Sequence, residues 1–318
     1  MNSTFSNLEQ PASAARVPDS LRISPKQIEV AFLPHLIPAG ALAGRTVIVT
    51  DVLRATTTII SALANGCHQV LPQPSLDAAR AAHARTENSV MGGERGGKIV
   101  DGFHHGNSPL EYRQDIIAGK SLVLATTNGT IAMEHCREAK RVLIGAMTNL
   151  AAIAERLSAD EPVTVVCSGT DGHITSEDVI FAGAMVERLL LRKRQLELAE
   201  KNERSELAKV VSEKVHANRD SLAAGMIDQL RHLPSVSSPL TDHAMIALSH
   251  WQHTQSAAHA GTPLADFFRT ARGGINLVKI GHDPDIVFAS QIDTASIVPE
   301  LDIESWSIRL PHPLSTSN

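Results

Sequence analysis

The chain has 318 residues, of which 43% are hydrophobic, 20% charged and only 3% aromatic, with a net charge of −5 at pH 7. That composition predicts a globular chain of one large or two ordinary domains, with a core of Ala, Leu, Ile and Val. The acidic balance argues against a nucleic-acid surface, and the lack of any apolar run near about 18 residues argues against a membrane span.

Residues 1–24 are rich in Ser, Asn, Pro and Ala and lack a basic start followed by an apolar core, so they read as a disordered tail and not a secretory signal. Ile28, Val30 and Phe32 alternate with polar residues as a first strand, ended by Pro34. Val47, Ile48 and Val49 form a buried strand over 46–50. Asp51 falls at its end, and a helix over 56–65 follows, stopped by Gly66. Short strands are predicted at Gln69–Leu71 and Ser89–Met91, separated by an Ala-rich helix over 75–86. The second of these runs into Gly92-Gly93-Glu94-Arg95-Gly96-Gly97, a glycine-rich loop that is neither a Walker loop nor a dinucleotide fingerprint. Residues 98–107 read as a loop, and Ser108-Pro109-Leu110-Glu111 as a capping box that starts a helix.

Further along, strands are expected at 122–125, 142–146 and 163–167. Thr126-Thr127-Asn128-Gly129-Thr130 leads into a helix, 149–157 is helical, and Ser176-Glu177-Asp178 opens a long apolar helix to about Leu191. This alternation predicts a layered α/β sandwich, with an α/β core at 27–191. Residues 192–238 are charge-dense and read as an exposed insertion or as a helical arm used in dimer contact. Residues 239–310 read as a C-terminal α/β part completing the fold, with helices at 241–251 and 264–270, turns at 273–277 and 281–285, and a late strand at 286–289. Residues 311–318 read as a loose tail.

Cys67, Cys136 and Cys167 are odd in number and widely spaced, which argues against a disulfide framework and fits a reducing cytoplasm. None of the fifteen His belongs to an HExxH or Cys/His zinc pattern.

Chemistry-bearing residues recur just after strand ends, where open α/β sheets place their sites. They are Asp51 with Arg54, Glu94 with Arg95, Thr127-Asn128-Gly129, and Ser168-Gly169 running into Glu177-Asp178. Hydroxyls and amides beside glycine suit phosphate oxygens, and arginines suit paired contacts to phosphate, carboxylate or sulfonate. Acids without neighbouring His or Cys suit a hard cation such as Mg²⁺. Each piece also has a plain structural role available. Asp51 could cap the next helix, Glu177 and Asp178 sit where acids favour a helix dipole, and Asn128-Gly129 is a common turn. Lys98, His104, His105 and Asn107 are secondary candidates from the loop after the glycine run.

These motifs carry a family resemblance. DVLRATTTI at 51–59, ALANG at 62–66, GGERGGKIVDGFHHGNSPLEY at 92–112 and TTNGT at 126–130 resemble the 2-phosphosulfolactate phosphatases. So do CSGTDGHITSEDVIFAG at 167–183, TDHAMIA at 241–247 and GHDPDIVFA at 281–289. The resemblance covers roughly residues 27–300. It implies an α/β fold distinct from the haloacid dehalogenase phosphatases, whose DxDx[TV] motif is missing because position 53 is Leu. It further implies a Mg²⁺-dependent hydrolysis of (2R)-2-phospho-3-sulfolactate to (2R)-3-sulfolactate and phosphate, a step toward coenzyme M. On that reading Asp51, Glu94 and Arg95 are catalytic. Mg²⁺ is held by some of Asp51, Glu94, Glu177 and Asp178. Arg54, Thr127, Asn128, Gly129, Ser168 and Gly169 hold the small polyanionic substrate. Hydrolysis of another small phosphorylated hydroxy acid, or anion binding without catalysis, are the competing readings.

Overall fold

The structure, a computed structural model, describes residues 28–158, 160–200 and 240–311. The predicted 1–24 tail, most of the 192–238 arm and residues 312–318 lie outside the described residues, as does the dimer contact expected of that arm.

The chain folds as an α/β sandwich on one ten-stranded sheet. In chain order the first elements are β1 (Glu29–Ala31), β2 (Thr46–Thr50), α1 (Ala55–Ala64), β3 (Gln69–Gln73), α2 (Leu76–Arg85), β4 (Ser89–Arg95), β5 (Lys98–Ile99) and α3 (Gln114–Ile117). They continue with β6 (Ser121–Ala125), α4 (Asn128–His135), β7 (Arg141–Gly145), α5 (Leu150–Arg156), β8 (Val163–Cys167) and α6 (Ser176–Glu200). The last are α7 (Asp242–His259), α8 (Leu264–Thr270), α9 (Arg272–Lys279), α10 (Asp283–Ala289), β9 (Glu300–Asp302) and β10 (Ser307–Arg309).

Across the sheet the order is β1-β8-β2-β7-β9-β10-β3-β6-β4-β5. Two parallel blocks, β1-β8-β2-β7 and β3-β6-β4, are joined by the antiparallel hairpin β9-β10 from the far end of the chain. Five strand steps separate β2 from β6. Sheet twist turns the second block relative to the first, and the ends of β2 and β6 meet: a Cβ on Gly129 of α4 would stand 3.1 Å from Asp51 Oδ2.

Strands covered on both faces read as continuous apolar runs, and β2, β6 and β8 are buried at every position. Alternate residues of β2 enter different cores. Ile48 packs with Phe181 and Met185 of α6, and with Val165 and Leu143, on one face. Val47 and Val49 pack with Ile59 and Ile60 of α1 and Met133 of α4 on the other. Each such side chain contributes about 1.5–3 kcal/mol by leaving water. Gly145 at the end of β7 lets Phe181 approach: a Cβ there would lie 2.6 Å from the Phe181 ring and 2.7 Å from Ile48.

Several predicted elements are corrected. The glycine-rich stretch at 92–97 is mostly strand, since β4 continues through Arg95 and turns at Gly96-Gly97 into β5. Its first glycines mark close approach: a Cβ at Gly92 would stand 1.9 Å from the Tyr112 hydroxyl, and one at Gly93 would stand 2.8 Å from the Ala125 carbonyl. Ser108 does cap through its hydroxyl, but only a single 3-10 turn, Pro109–Glu111, follows. Glu111 accepts from the Gly106 N–H, not from the Ser108 N–H as a capping box requires. Residues 272–279 and 283–289 are the helices α9 and α10, where turns and a strand were expected. Gly274 allows α8 and α9 to touch, since a Cβ would lie 1.8 Å from the Phe268 carbonyl oxygen. The strands β9 and β10 were not anticipated; they are short and take their place only through pairing with β7 and β3.

Candidate active site

The peptide N–H of Asp51 donates to Thr56 Oγ1 at 3.0 Å, and the Thr56 hydroxyl donates back to the Asp51 carbonyl at 2.9 Å. Thr56, in the first turn of α1, thus secures the strand-to-helix turn. Asp51 Oδ1 accepts the Ala55 N–H at 3.3 Å. Oδ2 faces the start of α4, where a Cβ added to Gly129 would stand 3.1 Å away and only 2.9 Å from the Ala55 methyl. Glycine at 129 therefore lets the first turn of α4, Asn128 onward, close over Asp51.

Beside this floor lies a cavity of about 370 Å³. Asp51, Arg54, Glu94, Asn107, Thr126, Thr127 and Asn128 line it from the two parallel blocks. Thr170 and Asp171 line it from the loop after β8, and Gly273, Asn276, Leu277, Lys279 and Ile280 from α9 and its end. Asn128 Oδ1 accepts from the Asp171 N–H at 3.3 Å, tying α4 to the β8 loop. Glu94 Oε2 accepts the Gly97 N–H at 2.6 Å, which holds the β4–β5 turn against the cavity.

Arg54 is nearly dehydrated, with its side chain 3% exposed, and its Nη1 lies 2.7 Å from Asp285 Oδ2 at the start of α10. Its Nη2 donates to the Gly97 carbonyl at 3.1 Å. Asp285 Oδ1 accepts from the Ser108 hydroxyl at 2.6 Å, and His282 Nδ1 lies 3.2 Å from Oδ2, the oxygen Arg54 holds. One buried carboxylate thus joins α10, the β2–α1 turn and the 108 loop.

Behind Asp51 stand two more buried acids. Asp178 accepts from the Val52 and Gly169 N–H groups, each at 2.9 Å, and from the Thr175 hydroxyl at 3.3 Å. Glu177 is 1% exposed, its Oε2 has no hydrogen-bond partner, and Gly273 packs on its Oε1. Burial is the main reason all three carboxyls titrate high. Asp51 is pushed up to about 8 with help from Asp178 and Glu94, and Asp178 to about 6 against its backbone hydrogen bonds. Glu177 is raised well above the usual carboxylate range, with Asp178 adding to burial.

The cavity brings together Asp51, Arg54, Glu94, Thr127 and Asn128 of the predicted site, with Gly129 packed directly beneath. Arg95 is exposed and outside it, paired across the β4–β5 turn with Lys98. Ser168, Gly169, Glu177 and Asp178 are not in its lining. Ser168 and Gly169 serve the strand end and Asp178: the Ser168 N–H donates to Thr50, and the Ser168 Oγ has no partner. Among the described residues no three of His, Cys, Asp and Glu converge closely enough to hold a metal ion. Of the secondary candidates only Asn107 reaches the cavity, while His104 accepts from the Met91 N–H and His105 packs on Tyr112. Asp285, Asn276 and Lys279 were missed. Their segment looked like turns, because Gly273-Gly274 mimics a turn signal.

A sequence model of the 2-phosphosulpholactate phosphatase family matches residues 31–220. The chain belongs to this family. A protein of Thermotoga petrophila described as a probable 2-phosphosulfolactate phosphatase is 42% identical over 154 residues, 48% of this chain and 66% of that protein. The match thus spans slightly under two thirds of that relative. Proteins with the same description from Synechococcus sp. (strain CC9605) and Symbiobacterium thermophilum are 34% and 31% identical, over 95% and 94% of their lengths and 86% and 83% of this chain. Among the described residues no helix is long and apolar enough to cross a membrane.

Proposed function

We propose that this member of the 2-phosphosulfolactate phosphatase family is a Mg²⁺-dependent phosphatase that hydrolyses (2R)-2-phospho-3-sulfolactate to (2R)-3-sulfolactate and phosphate, in the cytoplasm and toward coenzyme M. The observation that carries the reading is the meeting of Asp51, Glu94 and the Thr127-Asn128 start of α4 on one polar cavity, from strands of two separate blocks.

The donor set fits Mg²⁺. It is all oxygen, and Asp51 and Glu94 reach the cavity as a pair of carboxylates, the number Mg²⁺ commonly takes from protein when phosphate and water supply the rest. Glu177, with its Oε2 unpartnered, and Asp178 lie buried behind Asp51, where a nearby bound cation would favour their ionised forms. What Mg²⁺ supplies there when bound is positive charge against the phosphoryl oxygens.

Asp51, buried at the end of β2 on the cavity floor, is placed to take a proton from an attacking water or return one to the leaving alkoxide. Thr127 and Asn128 offer donors to the equatorial oxygens, and Arg54, paired with Asp285 and bonded to the Gly97 carbonyl, borders the phosphate position. Direct attack by Asp51 is the second route, favoured by its position against α4.

Phosphate release from phosphosulfolactate, phospholactate and phosphoglycolate, with Mg²⁺ and with a chelator, tests the reading. Release that is greatest with phosphosulfolactate and lost on chelation supports it; equal release in chelator removes the Mg²⁺ clause, and no release from any ester removes the whole. Single-turnover hydrolysis in ¹⁸O water separates the routes: label in phosphate supports water attack, and label in the enzyme carboxylate supports Asp51.

A further inference from the structure

We propose that α9 is the element that recognises the non-phosphate acid groups of the substrate, with Lys279 as the anion-binding residue and Asn276 beside it. The inference rests on the phosphatase reading above and names which part of the cavity chooses the substrate.

The cavity has two unlike sides. Its floor is made by strand-end residues, Asp51, Glu94, Thr126, Thr127 and Asn128, all within the stretch matched by the family model. Its opposite wall, Gly273, Asn276, Leu277, Lys279 and Ile280, comes from a helix beyond that stretch.

The charges are divided in the same way. Among the described residues two cationic side chains line the cavity, Arg54 and Lys279. Arg54 is buried and already matched by Asp285, so it adds little net charge for a second acid. Lys279 is exposed, and among the described residues no ion pair involves it. The remaining charged lining residues are Asp51, Glu94 and Asp171. Of these, Asp171 has a partner in Arg272, 3.4 Å away. A substrate whose phosphate sits on the floor must therefore meet Lys279 with its other acid groups, or leave them facing carboxylates.

The wall is also held at a fixed distance. The β4–β5 turn rests on α9 at Ile280, where a Cβ on Gly97 would lie 2.4 Å from the Ile280 side chain. Gly97 in turn carries the hydrogen bonds of both Glu94 and Arg54. The backbone that carries Lys279, one residue before Ile280, is thus held against the floor by packed residues and not by a free loop. A compact phosphorylated di-acid, with one acid on the phosphate-bearing carbon and the other one carbon further on, fits this division. A neutral phosphate monoester uses the floor alone.

The test compares Lys279→Gln and Lys279→Arg with the wild type on phosphosulfolactate and on glycerol 2-phosphate, a neutral-tailed monoester. Sulfolactate binding is followed in parallel by calorimetry. Loss of one charge-assisted contact predicts that the kcat/KM ratio of the acidic over the neutral ester falls about 10-fold or more in Lys279→Gln, mostly through KM. Sulfolactate binding should weaken by a similar factor, and Lys279→Arg should restore most of both. A ratio that stays within about 2-fold of wild type, or sulfolactate binding that ignores the substitution, overturns the assignment. If the wild type releases no phosphate but binds sulfolactate in a Lys279-dependent way, the phosphatase reading fails while the recognition site stands.

Discussion

Removing the Asp285 carboxylate should unfasten the site from its far side. Arg54 and Asp285 lie 2.7 Å apart with side chains 3% and 2% exposed, so neither has water to fall back on. In Asp285→Ala the guanidinium keeps only the Gly97 carbonyl among its partners here, and the Ser108 hydroxyl loses its acceptor. Breaking a buried pair by deleting one partner costs about 3–5 kcal/mol, because the surviving charge stays buried. Asp285→Asn keeps an oxygen for Ser108 and should cost less, about 1–3 kcal/mol. The double variant Arg54→Met, Asp285→Leu removes both charges. It should be more stable than the sum of the single losses predicts, by about 2 kcal/mol or more, yet remain inactive. Urea unfolding of the wild type, Asp285→Ala, Asp285→Asn, the singles Arg54→Met and Asp285→Leu, and their double variant at one pH, alongside phosphate release, measures all of this. Asp285→Ala losing less than about 1 kcal/mol, or a double variant that is simply additive, would refute the buried-pair argument.

Asp51→Asn should lower kcat by about 10²–10⁴ while leaving the fold intact. It should also remove a pH slope. The folded carboxyl titrates near 8 and the unfolded one near its ordinary 3.8, so between those values the folded state holds the extra proton. Wild-type stability then falls as pH rises from about 4 to 8 and levels off above, and in chelated buffer the advantage of Asp51→Asn should widen over that window; an advantage that shrinks contradicts the assignment. Gly129→Val drives a side chain against Ala55 and Asp51, so kcat/KM should fall about 100-fold and stability by about 1–3 kcal/mol, readable by activity and thermal melting. Arg95→Ala should change kcat/KM by less than about 3-fold, against more than about 100-fold for Arg54→Ala. Equal effects of the two would restore Arg95 to the site.

Much of this was legible along the chain, because local rules governed it. The apolar runs at 47–49, 122–125 and 163–167 announce strands buried on both faces, and the acid and hydroxyls that follow them mark the strand ends where the cavity lies. Legibility failed where a residue answers to a distant neighbour. Gly92, Gly93, Gly273 and Gly274 look like turn glycines, yet they sit in a strand and a helix because other groups occupy the space of a Cβ. What Asp178 touches was equally hidden: it accepts from the Val52 N–H after β2, the Gly169 N–H after β8 and the Thr175 hydroxyl.

Chain order determined the alternation of strands and helices, the acids and hydroxyls at strand ends, and the family. Those depend on spacing within a few residues, where side-chain periodicity and turn chemistry act. Only the folded sheet decided that Asp51 and Asn128 share a cavity, that Arg54 leans on a carboxylate 231 positions away, and that α9 supplies the opposite wall. These follow from twist and close packing across the molecule, and no short stretch of sequence carries that information.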